Sequence, residues 1–289
     1  MTSIPPILPG AGTLLPRYDV LFCDIWGVVH DGVRGYGPAG EALTRFRAGG
    51  GTVVLLSNAP MPADAVARLL DDKVVRRDAW DAIVTSGDIT LEHVAERGYR
   101  RVLKLEYDFD RSLFERLPAA SADGVEDADA IVCVGMRDHV NETPDDYRPL
   151  FARAIARKLA FVCANADLVV DVGGKLVPCA GTLAVLYEDM GGEVYWAGKP
   201  HLPAYEAAHR AAERIRGAPV ERARILAVGD SVRTDMAGAA GYGIDGLLVA
   251  GGIHREEILR DGEIAPAALA RLLPAQQPHP IAAVAALGW

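Results

Sequence analysis

Short apolar runs, each followed by small or polar residues, recur along this chain and alternate with stretches of helical spacing. Residues 20–23, 52–56, 82–84, 102–105, 130–134, 159–163, 194–196, 224–228 and 244–249 each read as a buried strand, with 244–249 as the final one. Between them, residues 38–48, 60–70, 144–158, 182–190, 202–216 and 234–240 carry apolar positions three and four apart, and a further helix runs to Arg97 and stops at Gly98. Asp110 suits the cap of a short helix through Leu117. Gly173-Gly174 between 169–172 and 175–177 reads as a two-residue hairpin turn. Residues 5–16 form an approach segment without periodicity, 119–129 a small, acidic loop, and 274 onward a Pro- and Ala-rich tail. Strand alternating with helix predicts a doubly wound α/β fold around a parallel sheet.

Composition narrows the partners more than the fold. The 289 residues carry a net charge of −9, which argues against nucleic acid or an anionic membrane as a main partner. No apolar run approaches the roughly 18 residues that span a bilayer. The start, Met1-Thr2-Ser3-Ile4-Pro5-Pro6, lacks a basic stretch leading into an apolar one, so a secretion signal is not expected. Cys23, Cys133 and Cys163 sit inside apolar runs, and no pair including Cys179 has metal-binding spacing. They read as buried thiols in a reducing cytoplasm rather than a disulfide or zinc framework.

Chemistry gathers where the strands end. Asp24 follows the run 20–23, Ser57-Asn58 follows 52–56, Lys199 follows 194–196, and Asp230 with Asp235 follows 224–228. A parallel sheet is expected to bring these ends to one edge, where open α/β sheets bind their ligands. Three carboxylates there repel one another unless a cation intervenes, and a hard divalent ion such as Mg²⁺ resolves the conflict. Lys199 and the Ser57 hydroxyl could then hold phosphoryl oxygens, which is the equipment of phosphoryl transfer. Plainer readings stand beside this one. Asp24 could cap a turn, Ser57 could be a strand-end turn residue, and Asp235 could favour its helix dipole.

Taken together, four segments resemble the motifs of the haloacid dehalogenase-like superfamily of aspartate-nucleophile hydrolases. They are Asp24-Ile25-Trp26-Gly27-Val28, Ser57-Asn58, Lys199-Pro200 and Gly229-Asp230-Ser231-Val232-Arg233-Thr234-Asp235, in the family's order and across nearly the whole chain. Gly198-Lys199-Pro200, Asn165-Ala166-Asp167 and the long gap between the second and third motifs resemble the class IIA branch. The resemblance implies a Rossmann-like core, residues 1–80 and 196–289, with an inserted α/β cap, residues 81–195, that selects the substrate. It implies Asp24 as the nucleophile that forms an aspartyl-phosphate. Asp24, Asp230 and the backbone carbonyl of Trp26 would ligate Mg²⁺, with Asp235 orienting Lys199 or a metal-bound water. Ser57 and Lys199 would hold the phosphoryl group, and Asn58, Asn165 and Asp167 are candidate substrate contacts. Asn165 and Asp167 could equally just fix the crossing between cap and core.

The family's phosphatases usually carry a second Asp two residues after the nucleophile, as acid and base. Here that residue is Trp26, whose indole does not exchange a proton at neutral pH. Such acid–base catalysis is typically worth about 10²–10⁴-fold. Three explanations stay open: His30 or Asp31 supplies the proton, the leaving group needs none, or the protein binds phosphorylated ligands without turning them over. The expected activity is hydrolysis of a small phosphate monoester, such as a sugar phosphate or nucleotide-like metabolite. The alternative is a binding or regulatory protein on the same scaffold. A cap of this size could also offer a homodimer surface.

Overall fold

The computed structural model describes residues 4–106, 111–172, 175–273 and 280–289. The chain divides into two compact units. The first takes Met1–Ser57, Ala67–Val84 and Tyr205–Trp289, and the second takes Asn58–Val66 and Thr85–Ala204. Among the described residues no helix is long and apolar enough to cross a membrane.

The first unit is built on a seven-stranded sheet. Its order is Ile7–Leu8, Ala282–Val284, Asp245–Val249, Ile225–Gly229, Val20–Cys23, Thr52–Ser57, Ala82–Thr85. Val20–Cys23 is buried at every position, which explains why it reads as an unbroken apolar run rather than an alternating one. It lies between Ile225–Gly229 and Thr52–Ser57, in parallel with both, with Cys23 opposite Val228 and Leu55. From Val20–Cys23 the chain winds one way through Thr52–Ser57 to Ala82–Thr85; from Ile225–Gly229 it winds the other way. The junction of these two strands is therefore the switch point at which an open α/β sheet forms its crevice. Helix Gly37–Ala48 carries Pro38 in its first turn and buries Ala39, Ala42, Leu43 and Phe46, a spacing of three and four residues that puts them on one face.

Two sequence expectations need correction here. Asp245–Val249 is not the final strand. Residues 282–284 of the expected tail pair in parallel with it, and residues 7–8 of the supposed approach segment add a further edge. Runs of two or three residues show no period, and only pairing reveals them as strands.

The second unit carries a five-stranded sheet in the order Val194–Trp196, Ala160–Cys163, Ala130–Cys133, Arg101–Leu105, Ala120–Ser121. Phe151, Phe161 and Tyr187 pack edge-on and tilted in its core, and the Tyr187 hydroxyl donates to the Leu159 carbonyl oxygen. The expected loop 119–129 contains the short edge strand Ala120–Ser121. Strands Val169–Val172 and Lys175–Pro178 pair antiparallel as the hairpin pattern predicts. The expected turn at Gly173-Gly174 and the cap at Asp110 lie outside the described residues. All four cysteines are free and buried.

Candidate active site

Three carboxylates meet at the switch point of the seven-stranded sheet. Asp24, Asp230 and Asp235 each offer an oxygen within 4.8 Å of the others. Asp24 is half-buried, and Asp230 and Asp235 are 5% and 3% exposed. The Asp24 N–H donates to the Val228 carbonyl oxygen at 2.8 Å, which continues the parallel ladder by one residue and fixes where the acid stands. Three like charges in so dry a place favour a bound cation, and an all-oxygen donor set suits a hard divalent one.

Close backbone packing holds Asp230. A Cβ on Gly27 would fall 2.0 Å from Asp230 Oδ2, and one on Gly252 would fall 1.8 Å from it. The same oxygen accepts the Ile253 N–H at 2.7 Å. Gly27 also has a φ of +80°, open to glycine and costly for other residues. Asp235 sits on a wide turn, Val232–Met236, with five-residue hydrogen bonding of the π type. The Ser231 hydroxyl accepts the Thr234 N–H, and the Ser231 N–H donates to Asp235 Oδ2 at 3.1 Å. Gly229 lets that carboxylate lie against the strand end, since a Cβ there would reach within 2.0 Å of Asp235 Cγ. The structure thus adds Gly229 and Gly252 to the residues that shape the site. The glycine of Gly229-Asp230 was legible as a small residue at a strand end; Gly252 carries no sequence signal. Ser57 ends the strand beside Asp24, half-buried, in the same sheet.

Lys199 departs from the sequence expectation. Its strand, Val194–Trp196, pairs with Ala160–Cys163 in the five-stranded sheet, so the four motif-bearing strands do not share one sheet. A three-residue apolar run cannot disclose its partner; its hydrogen bonds decide it. Lys199 is 3% exposed and braced through its backbone: Asn58 Oδ1 accepts its N–H at 2.7 Å, and Asn58 Nδ2 donates to its carbonyl oxygen at 3.0 Å. Asn58 Nδ2 also lies 2.9 Å from Asp167 Oδ1, and Asn165 Oδ1 accepts the Asp167 N–H. Asn58, Asn165, Asp167 and Lys199 are therefore neighbours in the second unit, tied to one another. Gly198 is required there, since a Cβ would fall 2.5 Å from both Asn58 Oδ1 and Ser86 Oγ.

The loop after Asp24 holds Trp26, His30 and Asp31. Trp26 is 42% exposed, its ring edge-on to His30 at 5.1 Å between centroids. His30 is buried, and its Nδ1 accepts the Gly32 N–H at 2.9 Å. Burial, and then the Lys73 ammonium, push the His30 imidazolium down to about 4, against the opposing pull of Asp31. Asp31 accepts the Arg34 and Val33 N–H groups, which hold its carboxyl below the usual carboxylate range. It is a turn former, as Asp-Gly predicts.

Comparison with known proteins places this geometry among relatives. A family model described as haloacid dehalogenase-like hydrolase matches residues 21–116, and one described as HAD-hydrolase-like matches residues 196–275. A solved hydrolase of the haloacid dehalogenase-like family from Brucella suis 1330 is 41% identical, over 97% of this chain and 99% of that one, with a TM-score of 0.82. A glycerol phosphate phosphatase from Mycobacterium tuberculosis, solved with calcium, is 25% identical over 83% of this chain and 68% of that one, with a TM-score of 0.61. A 4-nitrophenylphosphatase from Thermotoga maritima shares the fold at 23% identity over 95% and 96% of the two chains, with a TM-score of 0.70. No curated protein matches the sequence.

Proposed function

The chain belongs to the haloacid dehalogenase-like family of hydrolases, and on that footing we propose that it hydrolyses a small organic phosphate through an aspartyl-phosphate on Asp24, with Mg²⁺ bound. The observation that carries this reading is the meeting of Asp24, Asp230 and Asp235 within 4.8 Å at a sheet switch point. The donors fit a hard cation: Asp24 and Asp230 would hold it together with the backbone carbonyl of Trp26, while Asp235 holds it directly or orients its water. When bound, the ion supplies charge that offsets the carboxylates and the phosphoryl oxygens.

This chain's own residues supply the rest. The Asp24 carboxylate attacks phosphorus in line with the departing oxygen. The Ser57 hydroxyl donates to a phosphoryl oxygen, and Lys199 is assigned the balancing cation by its place in the third motif. Asn58, with its amide engaged by Lys199 and Asp167, acts by holding the lysine in place. Asn165 and Asp167 extend that brace, and through it residues 81–195 act as a substrate-selecting cap. The glycerol phosphate and nitrophenyl phosphate named for the relatives support a small organic phosphate as substrate. Free, buried cysteines support a cytoplasmic setting. A second reading, a phosphate-ligand-binding or regulatory protein, is favoured only by Trp26.

The test is an assay with Mg²⁺ against sugar phosphates, nucleotides and an activated aryl phosphate. Wild-type turnover that disappears in Asp24→Asn is expected. Equal activity in that variant would sink the mechanism. Ligand-induced thermal stabilisation without turnover across the panel would establish the second reading instead.

A further inference from the structure

The leaving oxygen of a phosphate ester needs a proton unless its anion is stable by itself. Trp26, His30 and Asp31, on the loop that follows Asp24, offer none. Trp26 presents an indole, which is not an acid at neutral pH. His30 lies behind that ring, 5% exposed, with Nδ1 already accepting the Gly32 N–H. The Asp31 Oδ1 takes two backbone N–H groups, from Val33 and Arg34, within its own turn. His30 and Asp31, the two titratable side chains nearest Trp26 on this loop, are thus each engaged elsewhere.

The Trp26 ring is itself held in place. His30 meets it edge-on at an interplanar angle of 71°, and its far edge covers Gly32, where a Cβ would fall 2.7 Å from Cη2. With 42% of the residue exposed, two residues from the nucleophile, the indole is a fixed, flat, apolar surface. Such a surface takes planar groups by stacking.

Resting on the aspartyl-phosphate reading above, we infer that the substrate is a phosphate whose leaving group is planar and departs as a stable oxyanion, namely an acyl or aryl phosphate. In the first step an Asp24 oxygen bonds to phosphorus as the bond from phosphorus to the leaving oxygen breaks. The electron pair leaves with that oxygen, as a carboxylate or phenolate, and no proton moves. In the second, water attacks phosphorus, the bond from phosphorus to Asp24 breaks, the carboxylate is restored, and hydrogen phosphate and one proton enter solvent. An alkyl phosphate would have to release a strongly basic alkoxide, and the lack of a donor at Trp26, His30 and Asp31 penalises it.

The experiment measures kcat/KM of the Mg²⁺-loaded protein on substituted phenyl phosphates ordered by the acidity of their phenols, with acetyl phosphate and glycerol phosphate beside them. The expected result is a steep rise with leaving-group acidity. Glycerol phosphate should trail 4-nitrophenyl phosphate and acetyl phosphate by about 10²–10⁴-fold, the factor a general acid ordinarily supplies. Trp26→Asp should raise glycerol phosphate turnover by at least about tenfold and flatten the series, whereas Trp26→Phe should keep the slope. A flat series in the wild type, with glycerol phosphate as good as the aryl esters, overturns this inference and leaves the phosphatase reading standing. No turnover of any member overturns the phosphatase reading, and this inference with it.

Discussion

Two residues without side chains decide where the Asp230 carboxylate stands. Gly252 is the sharper case, because a Cβ there would overlap Asp230 Oδ2 at 1.8 Å with no help from an unusual φ. Gly252→Ala should displace the carboxylate by enough to cost about 10²-fold in kcat, the scale of an ångström's misplacement at a reacting centre. Calorimetric Mg²⁺ titration should weaken in parallel. His30 gives a second prediction, from its imidazolium at about 4 against 6.5 when unperturbed. Above pH 6.5 the ring is neutral both folded and unfolded and has no effect. As pH falls from there towards 4, the unfolded chain takes a proton that the folded chain refuses. Stability therefore drops by about 3 kcal/mol across that window. Denaturant midpoints at pH 7.5 and 4.5 should converge in His30→Asn relative to wild type. Asp24 was legible as a charge at the end of an apolar run, and Asp31-Gly32 as a turn. The sterics around Asp230 were not, because Gly252 lies far along the chain and glycine leaves no pattern.

At the scale of elements, the brace around Lys199 is the part the sequence only half disclosed. Asn58 follows the first unit's strand Thr52–Ser57, yet it groups with the second unit, and its amide reaches 141 positions along the chain to Lys199. Asn58→Ala would remove the amide that pairs with the buried N–H and carbonyl oxygen of Lys199. An unpaired buried group costs about 1–3 kcal/mol, so a comparable loss should appear in thermal or denaturant unfolding. Lowered kcat is expected too, since the lysine loses its tether; an unchanged kcat would show that Lys199 needs no such support. The strand before Lys199 was visible as a short apolar run, but its sheet was not. Pairing of Val194–Trp196 with Ala160–Cys163 is a matter of hydrogen-bond geometry between segments about 30 residues apart.

For the whole molecule, the last residues are part of the sheet. Ala282–Val284 lies between Asp245–Val249 and Ile7–Leu8; Ala283 donates to the Pro6 carbonyl oxygen, and Ala250 to that of Val284. Ala283, Val284 and Leu248 are fully buried. Deletion of residues 280–289 should therefore remove two parallel pairings and expose core side chains, each worth about 1.5–3 kcal/mol. A marked fall in thermal midpoint is the expected outcome. A truncated chain of unchanged midpoint would show that the strand adds nothing to the sheet.

By itself, the sequence determined the α/β alternation, the buried strands and the acids that follow them, because burial on both faces writes itself as continuous apolar runs and a charge at their end stands out. It also determined that the residue two beyond Asp24 is a tryptophan, and hence that proton delivery is the open question of this chemistry. Tertiary structure alone decided which strands share a sheet, that Lys199 belongs with Asn58 and Asp167, and that Gly252 shapes the Asp230 site. Those outcomes depend on hydrogen bonds and close approaches between residues distant along the chain, which no local period or spacing records.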